Sequence, residues 1–291
     1  MRSMNRVITL ATVVCLGATS VLLACSLGAE ARHPRPAGQS TASSASELPR
    51  TKVAEGEYTI IKRSDFGAIG PFGEEIYDFR ETWTIWRTAE GEYDVEGSQR
   101  FQSPENTPHD NRFIVHLSRD MTVIDMTEFA RLKWRLNTGP LSCQFLASEL
   151  HCYAGGSGAT PIDLHTPMED PFGLLWPISA FSLSGITREV ERERHRATEV
   201  QLATIDQPSS DDPVEVTVLG SRLRYLGEED VELAHATWRA YKYSLQPALG
   251  PKLILRVSSK GLLLSLSVLG PDKNSLKAEM RLIRYQQWAP F

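Results

Sequence analysis

The chain has 291 residues, 41% of them hydrophobic, and a formal net charge of −5. A chain of this length forms one β domain or two. Its acidic balance, with no long basic patch, excludes a partner recognised by charge alone, whether nucleic acid or anionic lipid.

Arg2 and Arg6 precede an apolar run over residues 7–27, the charged and apolar regions of a secretory signal. The run is long enough to serve as a retained anchor, but Thr12, Gly17, Thr19 and Ser20 dilute it and favour cleavage. Two cleavage sites compete. Ala29-Glu30-Ala31 suits ordinary signal peptidase, cutting after residue 31. Leu22-Leu23-Ala24-Cys25 resembles a bacterial lipobox in which Cys25 is lipidated, although Leu23 is a less usual residue in its slot. The lipobox is the preferred reading, with residues 1–25 as the signal segment. It also explains residues 26–55, rich in Ala, Ser, Gly and Pro and without periodicity, as a tether. Removing the first 24 residues takes away two Arg and no acid, which moves the net charge from −5 to −7. The expectation is an exported protein on the periplasmic face of the envelope, lipid-anchored or soluble. Any membrane contact is expected through the N-terminal anchor alone.

The folded domain is expected to span residues 56–291. Glu57–Arg63 reads as a short strand and Glu75–Thr88 as a long one, with Tyr77, Phe79, Trp83 and Ile85 on one face. Glu90-Gly91 turns the chain into a strand that ends near Phe101. Arg112–Ser118 and Met121–Asp125 form the next hairpin. In Phe129–Leu136, Ala130, Leu132, Trp134 and Leu136 alternate with basic residues, so one face is buried and the other wet. In Leu141–Tyr153, a two-residue loop at Ala147-Ser148 sets Cys143 opposite Cys152 on a non-hydrogen-bonded site. That separation suits a disulfide, and export favours the oxidised pair. Two reduced core thiols are the alternative.

Ile162–His165 is a short strand. The segment 167–185 is apolar without period two and reads as a loop with a short helix around Pro177–Ser184. Residues 187–196 are charged and ambiguous between helix and strand. Strand rhythm returns from Thr198, with strands over Val214–Leu226 and Val231–Leu245 around an expected turn at Gly227–Asp230. The segment Lys252–Gly270 is a hairpin. Leu253, Leu255 and Val257 share one face of its first strand, and Leu262, Leu264, Leu266 and Val268 share one face of the second. Its turn, Ser258–Gly261, has Gly261 free to take positive φ. A last strand covers Lys277–Trp288. The fold class is therefore all-β and mainly antiparallel: a strongly curved sheet or half-barrel with one or two short helices.

Three stretches carry a resemblance. GEYTI…GEEIYDFRETWTIWRTAEGEYDVEG, VEVTVLG…GEEDVELAHATWRAYKYSL and VSSKGLLLSLSV…MRLIRY resemble strands of bacterial envelope proteins of unknown function related to the lipoprotein-localisation, or Lol-type, half-barrel carriers. The resemblance spans most of residues 56–288. It implies a curved sheet whose concave face is closed by helix or loop and holds acyl chains.

Signatures of chemistry are sparse. Gly155-Gly156-Ser157-Gly158-Ala159 lacks the final Gly of a nucleophile elbow, and there is no H-E-x-x-H and no P-loop. Asp163 and His165 can share a strand face, with His151 near, as two or three metal ligands; ordinary polar residues on an exposed strand is the reading adopted. The acids at Glu74-Glu75, Asp211-Asp212 and Glu228–Asp230 fall at expected turns, where solvation explains them; a glycosidase carboxylate pair is the alternative. No catalytic residue, cofactor or metal is assigned. Two functions remain. One is a non-catalytic envelope domain that binds a lipid or other apolar small molecule through Trp83, Trp134, Trp176, Phe181 and Trp238. The other is a structural or protein-interaction lipoprotein with a solid core.

Overall fold

Alternating apolar and polar residues build a sheet that runs through nearly the whole domain. The computed structural model describes residues 49–62, 68–69, 75–102, 108–128, 141–154, 161–169, 172–176, 180–181, 183, 186–187, 197–206, 215–270 and 276–291. Residues Ser46–Phe291 cluster as one unit. The strands are β1 (Thr51–Lys62), β2 (Ala68–Ile69), β3 (Glu75–Arg87), β4 (Tyr93–Gln102), β5 (Pro108–Leu117), β6 (Val123–Glu128), β7 (Leu141–Leu146) and β8 (Glu149–Ala154). They continue with β9 (Ile162–Pro167), β10 (Phe172–Trp176), β11 (Ala197–Asp206), β12 (Glu215–Leu233), β13 (Ala236–Pro247), β14 (Leu253–Ser258), β15 (Leu263–Leu269) and β16 (Leu276–Gln287). The expected strand Phe129–Leu136, with Trp134, lies outside the described residues, as does Cys25.

The hydrogen-bonded order is β10-β11-β12-β13-β14-β15-β16-β1-β3-β4-β5-β6-β7-β8-β9, with β2 on β3 outside this path. Every pairing is antiparallel except β10 with β11. The two ends of the path, β9 and β10, are consecutive in the chain, and residues 168–171 join them. Such a link reaches at most about 17 Å, so the sheet must curl until its ends approach. Met168 N–H donates to Ser148 O on one side of the seam (3.0 Å), and Glu169 N–H donates to Gln201 Oε1 on the other (2.8 Å). No β9–β10 ladder closes the path among the described residues.

Inward positions follow the pleat. Phe79, Glu81, Trp83 and Ile85 on β3 are buried, as are Asn111, Phe113, Val115 and Leu117 on β5. Burying one such apolar side chain is worth about 1.5–3 kcal/mol, and the core draws on nearly every strand. The β14–β15 hairpin turns where expected, with Gly261 at φ 83°. It lies mid-sheet and is buried on both faces: Ile254, Ser265 and Ser267 are covered as well as Leu255 and Leu266. On its outer face Arg256 Nε donates to Glu229 Oε1 (2.5 Å) and its Nη1 to Ser267 Oγ (3.2 Å).

The structure departs from expectation in four places. The domain's first strand starts at Thr51 rather than near Gly56. Val53 and Ala54, small residues in a stretch expected to be tether, are fully buried against the sheet. Gly227–Asp230 is not a turn. β12 runs through it, with a bulge between Tyr225 and Gly227 that the glycine's φ of 122° accommodates. The chain instead reverses at Ala234-His235, both at positive φ. The neighbouring acids are therefore strand residues with partners: Glu229 accepts from Lys242 and Arg256, and Arg239 bridges Glu228 and Asp230. Finally, Phe172–Trp176 is a strand, β10, rather than loop. A short apolar run without alternation cannot be assigned by periodicity. Beyond it, Ala180, Phe181 and Leu183 lie in turns, and only Ile186 and Thr187 are helical among the described residues.

Candidate functional site

The interior around β3 is layered by cross-strand register. In one layer Tyr285, Gly56, Trp83, Gly97 and Phe113 stand opposite one another on successive strands β16, β1, β3, β4 and β5. Aromatic rings alternate with glycines, and each glycine yields its space to a ring. A Cβ at Gly56 would stand 2.3 Å from the Trp83 indole, and one at Gly97 would stand 2.1 Å from the Phe113 ring.

The adjacent layer is polar and buried. Glu81, Gln99 and Asn111 are in register across β3, β4 and β5 and almost wholly shielded from solvent. Asn111 Nδ2 donates to Gln99 Oε1 (3.4 Å), and Gln99 Nε2 donates to Glu81 Oε2 (2.7 Å). The other carboxylate oxygen of Glu81 accepts from the Ala180 backbone N–H at 3.0 Å. Burial pushes the Glu81 carboxyl up to about 7, against the opposing pull of its two donors, Ala180 N–H and Gln99. Tyr58, also fully buried, donates its hydroxyl to Leu263 O (2.6 Å). Its pKa is raised well above the phenol range by that burial and by the nearby Glu81 charge.

Ala180 belongs to the segment that fills this interior. Phe181 meets Trp83 edge-on, ring centres 5.3 Å apart, and Ala180, Phe181, Leu183 and Ile186 are buried. The segment reaches from β3 to β14 and β15. The cavity beside it, lined by Ala180, Leu183, Thr187, Leu255, Val257 and Leu263, has a volume of about 10 Å³, room for about one water.

Of the residues expected to hold a ligand, three fall in one aromatic cluster. Trp83 touches Tyr58, Phe181 and Tyr285, and Tyr285 is met edge-on by Trp238 at 4.9 Å. The Trp238 Nε1–H donates to Leu233 O (3.0 Å). Partial burial pushes the Tyr285 hydroxyl up to about 12. Trp176 stands in β10, its backbone paired with Thr204; its side chain, like all of Trp134, lies outside what is described. Sequence reasoning missed Glu81, Gln99 and Tyr285. For Glu81 a signal existed: it is an acid in the inward register of β3, between Phe79 and Trp83.

The hairpin β7–β8 has the expected register, Cys143 opposite Cys152, and the two form a disulfide with Cα atoms 4.1 Å apart. On the outer face of β8 and β9 the structure also brings together His151, Asp163 and His165. Hydrogen bonds from His151 and His165 hold the Asp163 carboxyl below its usual range, and Glu149 accepting from His165 raises that imidazole.

No protein-family model matches the chain, and no curated protein matches it. Among solved structures, the chain is similar to a β-barrel-like protein of domain of unknown function DUF1849 from Brucella abortus. That likeness has 10% identity and a TM-score of 0.48, and it covers 82% of this chain and 99% of the other. A DUF1089 family protein from Pseudomonas aeruginosa aligns at 15% identity and TM-score 0.40, covering 63% of this chain and 86% of its own. At these values neither neighbour carries a functional argument.

Proposed function

We propose that this is a non-catalytic, exported module of the cell envelope whose curled sheet is filled by its own chain and which acts through its outer surface. The observation that carries this reading is Phe181. It occupies the space beside Trp83 that an apolar ligand would take, and its neighbour Ala180 is hydrogen-bonded to the buried Glu81. Glu81 is enclosed by Gln99 and this segment, so it serves as an anchor rather than a group offered to a substrate. Export is supported by the residue 2–27 signal pattern and by the disulfide, which persists in oxidising compartments.

The competing reading is a lipid or other apolar ligand carrier of the Lol-type arrangement, using the aromatic cluster of Trp83, Phe181 and Trp238. It requires the segment around Phe181 to leave. The two readings separate on Phe181→Ala. A plug in a packed core costs about 3–5 kcal/mol when truncated to Ala, and the wild-type protein should take up no fluorescent fatty acid. Stoichiometric uptake by the wild type, together with a small stability loss in the variant, would overturn the structural reading in favour of the carrier.

A further inference from the structure

His151 on β8 and His165 on β9 are direct cross-strand partners, and Asp163 lies two residues from His165 on the same face, as the strand's period of two requires. We propose that His151, Asp163 and His165 form a binding site for a divalent first-row transition ion, zinc or copper, with Glu149 as the outer carboxylate that orients His165. The two imidazoles stack with centres 4.0 Å apart. His151 Nε2 lies 2.7 Å from Asp163 Oδ1, and His165 Nε2 lies 3.4 Å from the same oxygen. One donor atom from each of the three residues falls within 4.8 Å of the others. Tetrahedral zinc, with bonds of about 2.0–2.1 Å, sets its donor atoms about 3.3 Å apart. The His165–Asp163 spacing already has that value. To converge on one ion, His151 opens from Asp163 by about half an ångström and the two stacked rings rotate against each other so that both Nε2 lone pairs meet, a rearrangement of partly and fully exposed side chains.

Three further features point the same way. His165 Nδ1 lies 2.8 Å from Glu149 Oε1. Donating its Nδ1–H there marks Nε2, which faces Asp163 in the metal-free protein, as the nitrogen that would give up its proton to ligate the ion, the carboxylate–histidine arrangement that fixes ligating imidazoles. The Cys143–Cys152 disulfide sits one residue from His151 and ties β8 to β7, so the strand that carries the first ligand is held. Asp163 and Glu149 together bring two negative charges, which a divalent ion neutralises. Two imidazoles and a carboxylate suit zinc or copper and not calcium or magnesium, which take all-oxygen sets. Three protein ligands leave a coordination position for water on this exposed face.

The rival account is that these residues only keep the edge strand β9 soluble, pairing with one another. His116 offers the internal comparison: it lies 2.6 Å from Asp94 and 3.6 Å from Asp125, with acids at hand but no second imidazole among the described residues. The test is calorimetric titration of the full-length chain, cleared of metal by a chelator, with Zn²⁺ near neutral pH, and the electron paramagnetic resonance spectrum of the Cu²⁺-loaded protein. One equivalent of Zn²⁺ should bind, and the copper spectrum should show two equatorial nitrogens. His151→Ala and His165→Ala should each weaken zinc binding at least about 100-fold, and Glu149→Gln by about 10–100-fold, while His116→Ala leaves it unchanged. Magnesium should not compete. The proposal is overturned if the wild-type chain takes up no stoichiometric zinc, if uptake survives in the His151→Ala/His165→Ala double variant, or if the copper spectrum lacks imidazole nitrogen.

Discussion

The indole of Trp83 occupies the space that a side chain at Gly56 would need, with the ring 2.3 Å from where a Cβ would stand. Gly56→Ala should therefore force the indole from its place and cost about 1–3 kcal/mol, read from the denaturant midpoint. Gly220→Ala is the control. A Cβ there meets nothing within 4 Å, and the change should stay within about 0.5 kcal/mol.

Glu81 links stability to pH. Its folded pKa is about 7, raised by burial from 4.5, so the native state binds the proton more tightly than the unfolded chain. Its contribution is full below about pH 4.5 and is lost as pH rises through about 7. Over that window the decline amounts to about 3 kcal/mol, to order of magnitude. Unfolding curves measured from pH 4.5 to 8 should show this downward trend, and Glu81→Gln should flatten it. A stability that rises across the window in the wild type would contradict the assignment.

The Cys143–Cys152 bridge closes a short loop. In the chain-entropy account it contributes about 2–3 kcal/mol. The Cys143→Ser/Cys152→Ser double variant should lose that amount, and the wild type should show no reactive thiol at either position under denaturing, non-reducing conditions.

The β12–β13 turn is improvable. Ala234 and His235 both hold positive φ, at 50° and 63°, a conformation that costs a side-chain-bearing residue about 1–2 kcal/mol. Replacing the pair by Asn-Gly, which favours this turn, should raise the unfolding midpoint. An unchanged or lowered midpoint would refute the strain.

Much of the sheet is legible in the sequence, because alternation survives wherever one face is wet: β3, β4 and β16 follow their patterns to within a few residues. The disulfide hairpin is legible for the same reason, since a two-residue loop fixes every pair outward from it. Legibility fails where two physical causes leave one signature. Gly227 with three following acids looks like a turn, yet a glycine at positive φ serves a bulge equally well. The apolar run of β10 carries no period to read. Glu81 breaks the inward pattern of β3, and its meaning depends on Ala180, far along the chain. His151 and His165 become neighbours only through the β8–β9 register.

The pairing of β1 with β16 has a consequence for how the molecule comes into being. Nearly every other ladder joins strands close in sequence, but Ala54 waits for Gln287. As the chain leaves the ribosome, the first strand can find β3 at once, while its second edge stays bare until the last strand is synthesised. For almost the whole of translation the protein carries an unsatisfied ladder at its middle, open to any extended segment. Only a chain kept from folding until its last strand is made would escape that interval.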